Sequence, residues 1–194
     1  MHEHGGPMHQ PAAGEAPARA ALVLGGATCV WKDLDRARAL HTFNGVIACN
    51  DAGAFYPDAL DAWVSLHPLK WPEWLLSRAL MGHPDVPNII SHRQEPGVTQ
   101  VVDYRFNGVT PTGSSGLYAA KVALALGFNR VVLCGVPMDP QQAHFFDGKP
   151  WDAAPRFKAG WRAALPYIAQ HVRSMSGWTA ELLGRPSAEW LSGL

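Results

Sequence analysis

The 194-residue chain has no net charge to spare: 16 lysines and arginines balance 16 aspartates and glutamates. Without a surplus of one sign, no long-range field draws the whole molecule onto nucleic acid or an anionic membrane, and only a local basic patch could do so. Apolar runs are short as well, none nearing the ~18 residues that span a bilayer. The N-terminus has neither the basic start nor the apolar segment of a signal peptide, so the expectation is a cytoplasmic protein without a membrane span. Cysteine is scarce. Cys29, Cys49 and Cys134 form no CxxC pair and lie in apolar or strand-like stretches, as buried reduced thiols do. Several catalytic signatures are missing too. There is no H-E-x-x-H, no P-loop and no G-x-S-x-G elbow, and Gly25-Gly26-Ala27-Thr28 is not the dinucleotide fingerprint. Asp33-Leu34-Asp35 has the D-x-D spacing but falls inside a predicted helix, so no metal site is expected.

A hydrophobic fraction of 47% and a charged fraction of 16% are those of a globular protein with a sizeable core. The length suits one domain, with two small ones as the alternative. Residues 1–18 are rich in Gly, Pro, Ala and His without periodicity and read as a disordered tail. His2, His4 and His9 there are read as solvated rather than as a metal site. The remainder, 19–194, reads as a single α/β domain.

Strands are expected at Ala20–Leu24, Val46–Cys49, Ala62–Leu66, Asn88–Ser91, Val98–Asp103 and Arg130–Val136. Helices are expected from Cys29 to about Leu40, Trp71 to Met81, Leu117 to Leu126 and Arg156 to about Met175. A short helix broken near Pro186 follows. Strands alternating with helices imply βαβ units, hence a Rossmann-like, doubly wound, mostly parallel sheet with helices on both faces. Eight tryptophans read as core and edge packing, with the alternative that one or two stack on a sugar or base.

In such sheets ligands bind beyond the carboxyl ends of the strands, and the chemically able residues collect there. Gly25, Gly26 and Thr28 follow the first strand, Asn50 and Asp51 the second, His67 the third, and Pro137, Met138 and Asp139 the last. Gly25 and Gly26 can present N–H groups to an anion, or simply make a tight turn. Thr110 to Gly116 packs hydroxyls and glycines just before a helix. There Thr112, Gly113, Ser114 and Ser115 could hold a phosphorylated ligand, although one of them would suffice as an ordinary N-cap. His144 has a near-neutral intrinsic pKa suited to taking a proton from a hydroxyl, with Asp139 or Asp147 to orient it.

These segments, in this order, resemble the bacterial sialyltransferases that use CMP-activated sialic acid. They also resemble the related sialyltransferase-like domain of motility accessory factors. The family's first strand, Gly-Asn-Gly-Pro-Ser-Leu-type loop and second strand ending in Asn are matched by LVLGGATCVWKDLD (Leu22–Asp35) and VIACN (Val46–Asn50). Its Thr-Ser-Gly-type loop, Ala-rich helix and following strand are matched by PTGSSGLYAAKVALALGFNRVVLCGVPMD (Pro111–Asp139). His144, in AHFF, resembles its catalytic-base histidine.

The resemblance implies a metal-independent glycosyltransferase with a nucleotide-activated sugar as substrate and no further cofactor. Asn50 would hold the ribose or phosphate, Thr112, Ser114 and Ser115 the donor, and His144 would deprotonate an acceptor hydroxyl. The loop asparagine of the family is Gly26 here, its arginine is Ala48, and its tyrosines have no obvious counterparts in the loop, where Phe145 and Phe146 lack hydroxyls. Two alternatives therefore stand beside the transferase: a non-catalytic nucleotide-binding module, and another nucleotide- or phosphoryl-modifying enzyme on the same scaffold. The acceptor class and homo-oligomerisation are left open.

Overall fold

The computed structural model describes residues 18–111 and 114–193. The expected tail, apart from its last residue, and the expected ligand residues Thr112 and Gly113 lie outside the described residues. In chain order the elements are β1 (Ala20–Leu24), α1 (Val30–Leu40), β2 (Gly45–Cys49), α2 (Asp51–Phe55), β3 (Ala62–Ser65), a 3-10 turn (Pro68–Lys70), α3 (Trp71–Leu80), β4 (Ile89–Ser91) and β5 (Gln100–Val101). Then come α4 (Ser115–Ala125), β6 (Arg130–Cys134), α5 (Ala154–Ile168), β7 (Val172–Ser174), α6 (Gly177–Leu183) and α7 (Ala188–Ser192). Among the described residues no helix is long and apolar enough to cross a membrane.

The seven strands form one sheet in the order β5-β4-β3-β2-β1-β6-β7, and every neighbouring pair is parallel. All five residues of β1 are buried, as a central strand covered on both faces requires. Because successive side chains point to opposite faces, Leu22 and Leu24 join one core with Val30, Leu34, Trp63, Trp71 and Trp74. Ala21 and Val23 join the other with Leu117, Ala120, Trp161 and Ile168. Helices α1, α2, α3 and α7 thus cover one face, and α4, α5 and α6 the other. Trp63, Trp71 and Trp74 pack against one another with ring centroids 5.3–6.2 Å apart, the core role expected of most tryptophans.

Three elements differ from the sequence expectation. The helix expected to reach Met175 ends at Ile168, and the chain turns into β7. Trp161, Ala164, Ile168, Val172 and Met175 keep helical spacing across that break, so periodicity alone runs through it. Helix α2 was not expected, being five residues with a glycine at the centre. The strand expected over Val98–Asp103 shrinks to the edge pair Gln100–Val101, whose two residues are exposed.

Helix α4 begins where Ser114 accepts a hydrogen bond from Leu117 N (3.4 Å). It ends in a Schellman closure, with Gly127 N bonded to Leu124 O and Phe128 N to Ala123 O. Its place matters most. From β1 to β5 the sheet grows in one direction, and α4 then carries the chain back to β6 on the other side of β1. The carboxyl ends of β1 and β6 therefore flank the switch point, where such sheets open a crevice.

Candidate functional site

The crevice floor is made of glycine backbone. Gly25 N donates to Cys134 O at 2.8 Å, and a Cβ on Gly25 would sit 2.3 Å from Gly135 O. Gly135 has φ +69°, and a Cβ there would meet Val30 Cβ at 2.4 Å. The two strand exits can approach only because neither carries a side chain. Asp33, buried at the start of α1, fixes this junction: its Oδ2 accepts from Gly135 N (3.0 Å) and from Ser176 Oγ (2.5 Å).

One wall is the amino end of α4. Ser114 Oγ is spent as an acceptor on Leu117 N, and Ser115 Oγ accepts from Leu66 N at the end of β3 (3.4 Å). Both hydroxyls keep their own proton to donate. Facing them is Asn50, at φ +49°, a conformation rare outside glycine and tolerated best by Asn and Asp. A relay sets its amide. His67 N–H donates to Ser65 Oγ (2.8 Å), so the Ser65 proton must go to Asn50 Oδ1 (2.7 Å). Asn50 Nδ2 is left as a donor. Next to it, Asp51 Oδ1 accepts from Trp74 Nε1 (2.9 Å).

The third wall is the loop after β6, laced to the β1 exit by backbone bonds. Thr28 N donates to Ala143 O (2.9 Å), Phe145 N donates to Gly26 O (2.9 Å), and Ala27 and His144 form an antiparallel bridge. Phe145 anchors the loop edge-on against Trp31 and Phe55. His144 is thereby half-buried, its ring edge-on to Trp151 at 6.0 Å, and its Nδ1 is 3.2 Å from where a Gly26 Cβ would be.

Gly25, Gly26, Asn50, Asp51, Ser114, Ser115 and His144 all line this one cleft, of about 520 Å³ counted out to open solvent. Thr28 and Asp139 do not. Thr28 is exposed and its hydroxyl donates to Gln142 Oε1 (3.1 Å), so it pins the loop. Asp139 Oδ1 closes a local turn by accepting from Gln141 N (3.0 Å). Asp147, the other candidate to orient His144, accepts from Lys149 N (3.1 Å) and pairs with its Nζ (3.2 Å), which holds that carboxyl below its ordinary range. Sequence reasoning missed Gly135, Gln142 and Trp151 in the lining, and Asp33 behind it. Met138, flagged only by its place after the last expected strand, is buried at φ +51°.

Burial raises the Cys49 thiol beside the cleft to about 12 and Cys29 to about 11, so neither is a ready nucleophile. The three cysteines are unpaired. Among the described residues no group of three or more His, Cys, Asp and Glu side chains is placed to hold a metal ion.

The fold has a solved counterpart. An asparagine-to-alanine variant of the sialyltransferase CST-II, in complex with CMP, superposes with a TM-score of 0.58 over 89% of this chain and 88% of its own. The two sequences are 15% identical, so the likeness is one of fold. No family model matches the chain, and neither does any curated protein sequence. The expected α/β sheet is thus observed, and its arrangement is sialyltransferase-like.

Proposed function

We propose that the protein is a glycosyltransferase-like enzyme that moves a sugar from a nucleotide-activated donor to a hydroxyl acceptor. One observation carries this: the amino end of α4, the spare amide of Asn50 and the half-buried His144 face a single cleft at the switch point of the sheet. The first turn of α4 has N–H groups without intrahelical partners, and with the helix dipole and the Ser114 and Ser115 hydroxyls it suits a phosphate. Asn50 Nδ2 is a donor for the ribose or phosphate. His144, with no hydrogen-bonded partner on its ring among the described residues, is free to take the proton of an acceptor hydroxyl. In this scheme the charge of the leaving phosphate is met by fixed donors, an arrangement that needs no metal. The CMP bound by the solved counterpart supports a nucleotide in this crevice.

The experiment is a thermal-shift screen with CMP, UDP, GDP and ADP and their sugar conjugates, followed by turnover of the conjugate that binds. A ligand that binds only the folded state raises its midpoint. His144→Ala should keep that shift and lose about 10²–10⁴-fold in transfer, while a chelator should leave the wild-type rate unchanged. Equal turnover by the variant removes His144 from the chemistry, and inhibition by chelation removes metal independence.

A second reading, a nucleotide-binding module without catalysis, is favoured by the phenols. Tyr118 OH donates to Val102 O (2.8 Å), Tyr167 OH donates to Asn107 O (2.5 Å), Tyr56 OH accepts from Arg38 (2.6 Å) and Tyr104 OH accepts from Arg105 (3.1 Å). None of the four lines the cleft, so no phenol is there to assist a departing anion. Saturable binding with no transfer from any donor is the outcome that selects this reading.

A further inference from the structure

A second cavity opens beside the nucleotide cleft. It shares Asn50, Asp51 and His144 with that cleft and adds His67, Lys70 and Asp147. An acceptor must reach His144 to give up its proton, and this is another space that His144 lines. The charges within it are unequally engaged. Asp51 is held by Trp74 Nε1 (2.9 Å) and Asp147 by Lys149 (3.2 Å). Lys70 Nζ lies 5.9 Å from the Trp74 ring and has no carboxylate at ion-pair distance among the described residues.

His67 is equally uncommitted, its imidazole making no hydrogen bond among the described residues. Its backbone is fixed instead, with His67 N bonded to Ser65 Oγ (2.8 Å) and Lys70 N to His67 O (3.0 Å). The 3-10 turn therefore presents both side chains from a rigid corner. The same two residues line an adjoining hollow with His92 and Arg93. There Arg93 is paired with Glu95 (3.1 Å), and His92 Nδ1 is buried without a partner.

We propose that His67 and Lys70 form an anion subsite that receives a phosphate or carboxylate group of the acceptor. This rests on the transferase reading, which puts the acceptor at His144. The electrostatics agree. His67 is pulled below its ordinary pKa by loss of solvent, then by Lys70 and, more weakly, by His92, with Asp51 opposing them. Arg93, Asp147 and His144 complete the charged and titratable groups around the two hollows. An anion seated between His67 and Lys70 favours the imidazolium and raises that pKa.

The test follows the Cε1 protons of the histidines by NMR across pH in the full chain. Inorganic phosphate, acetate and chloride are compared at matched ionic strength, each with and without saturating CMP. Phosphate or acetate should raise the apparent pKa of His67 saturably relative to chloride, and the rise should persist with CMP bound. The comparison of the two anions tells which acceptor group the site prefers. Exposed Lys70→Met should raise the His67 baseline in chloride, abolish the anion-dependent rise, and leave the CMP-induced shifts in the first cleft unchanged. No saturable change with either anion, or an equal rise in Lys70→Met, overturns the subsite. So does loss of the rise once CMP is bound, which would assign the anion position to the donor. If CMP fails to bind while His67 still responds to anions, the nucleotide reading falls, and with it the acceptor assignment.

Discussion

His144 is held in the cleft by its backbone: its N–H donates to Lys149 O and its carbonyl accepts from Gly148 N, both at 2.9 Å, while its ring makes no hydrogen bond among the described residues. His144 was legible as a candidate by residue type, while the directions of Asp139 and Asp147 were not. Residue type and position after a strand mark a candidate base, yet the direction of a loop side chain is set by turns such as the one Asp139 closes with Gln141. Gly25, Gly26, Asn50, Ser114 and Ser115 were legible because each follows a strand or starts a helix, where the fold itself aims the chain at the crevice. Asp33 was not, since an acid in the first turn of a helix is common for reasons of the dipole alone. Its importance here is testable. Asp33→Ala leaves the buried Gly135 N–H without its acceptor and should lower unfolding stability by about 1–3 kcal/mol. Asp33→Asn keeps an oxygen acceptor and should lose less. Equal urea midpoints for wild type and Asp33→Ala would show that the contact is dispensable.

At the scale of elements, short apolar β-branched runs bounded by turn residues announced the strands on either side of the switch point. Arg130–Cys134 is such a run, and Ala20–Leu24 is nearly so. β7 escaped because the spacing of its apolar residues continues that of α5. The close approach of the β1 and β6 exits is a property of two elements together, and no window of one sequence segment displays it. Gly25→Ala should therefore behave as an overpacked core substitution, costing at least about 1–3 kcal/mol, because the obstacle is the Gly135 carbonyl rather than a flexible side chain. The same variant should weaken nucleotide binding by moving the β1 exit. Wild-type stability and affinity in Gly25→Ala would mean that the junction is looser than its geometry.

For the molecule as a whole, the sheet class was legible from the alternation of strands and helices. The strand order was not, because pairing is decided by which faces the helices can cover. The charge distribution adds a pH dependence. His67 and His92 are both held below their ordinary pKa, chiefly by loss of solvent. A group with a depressed folded pKa contributes stability that is fully present above its unfolded value, about 6.5 for histidine, and is lost as pH falls through the folded value. The thermal midpoint should accordingly decline as pH drops from about 7 towards 5, and the double variant His67→Gln/His92→Gln should flatten that decline. An unchanged slope would place the acid sensitivity elsewhere.

Under the proposed function, a nucleotide occupies the crevice between the β1 and β6 exits with its phosphate at the amino end of α4. An amide-resolved NMR titration with CMP tests it most directly. Saturable shifts should concentrate at Gly26, Asn50, Ser115, Gly116 and Gly135, with the His144 ring responding alongside. Saturable shifts centred anywhere else on the molecule, or none at all, would contradict it.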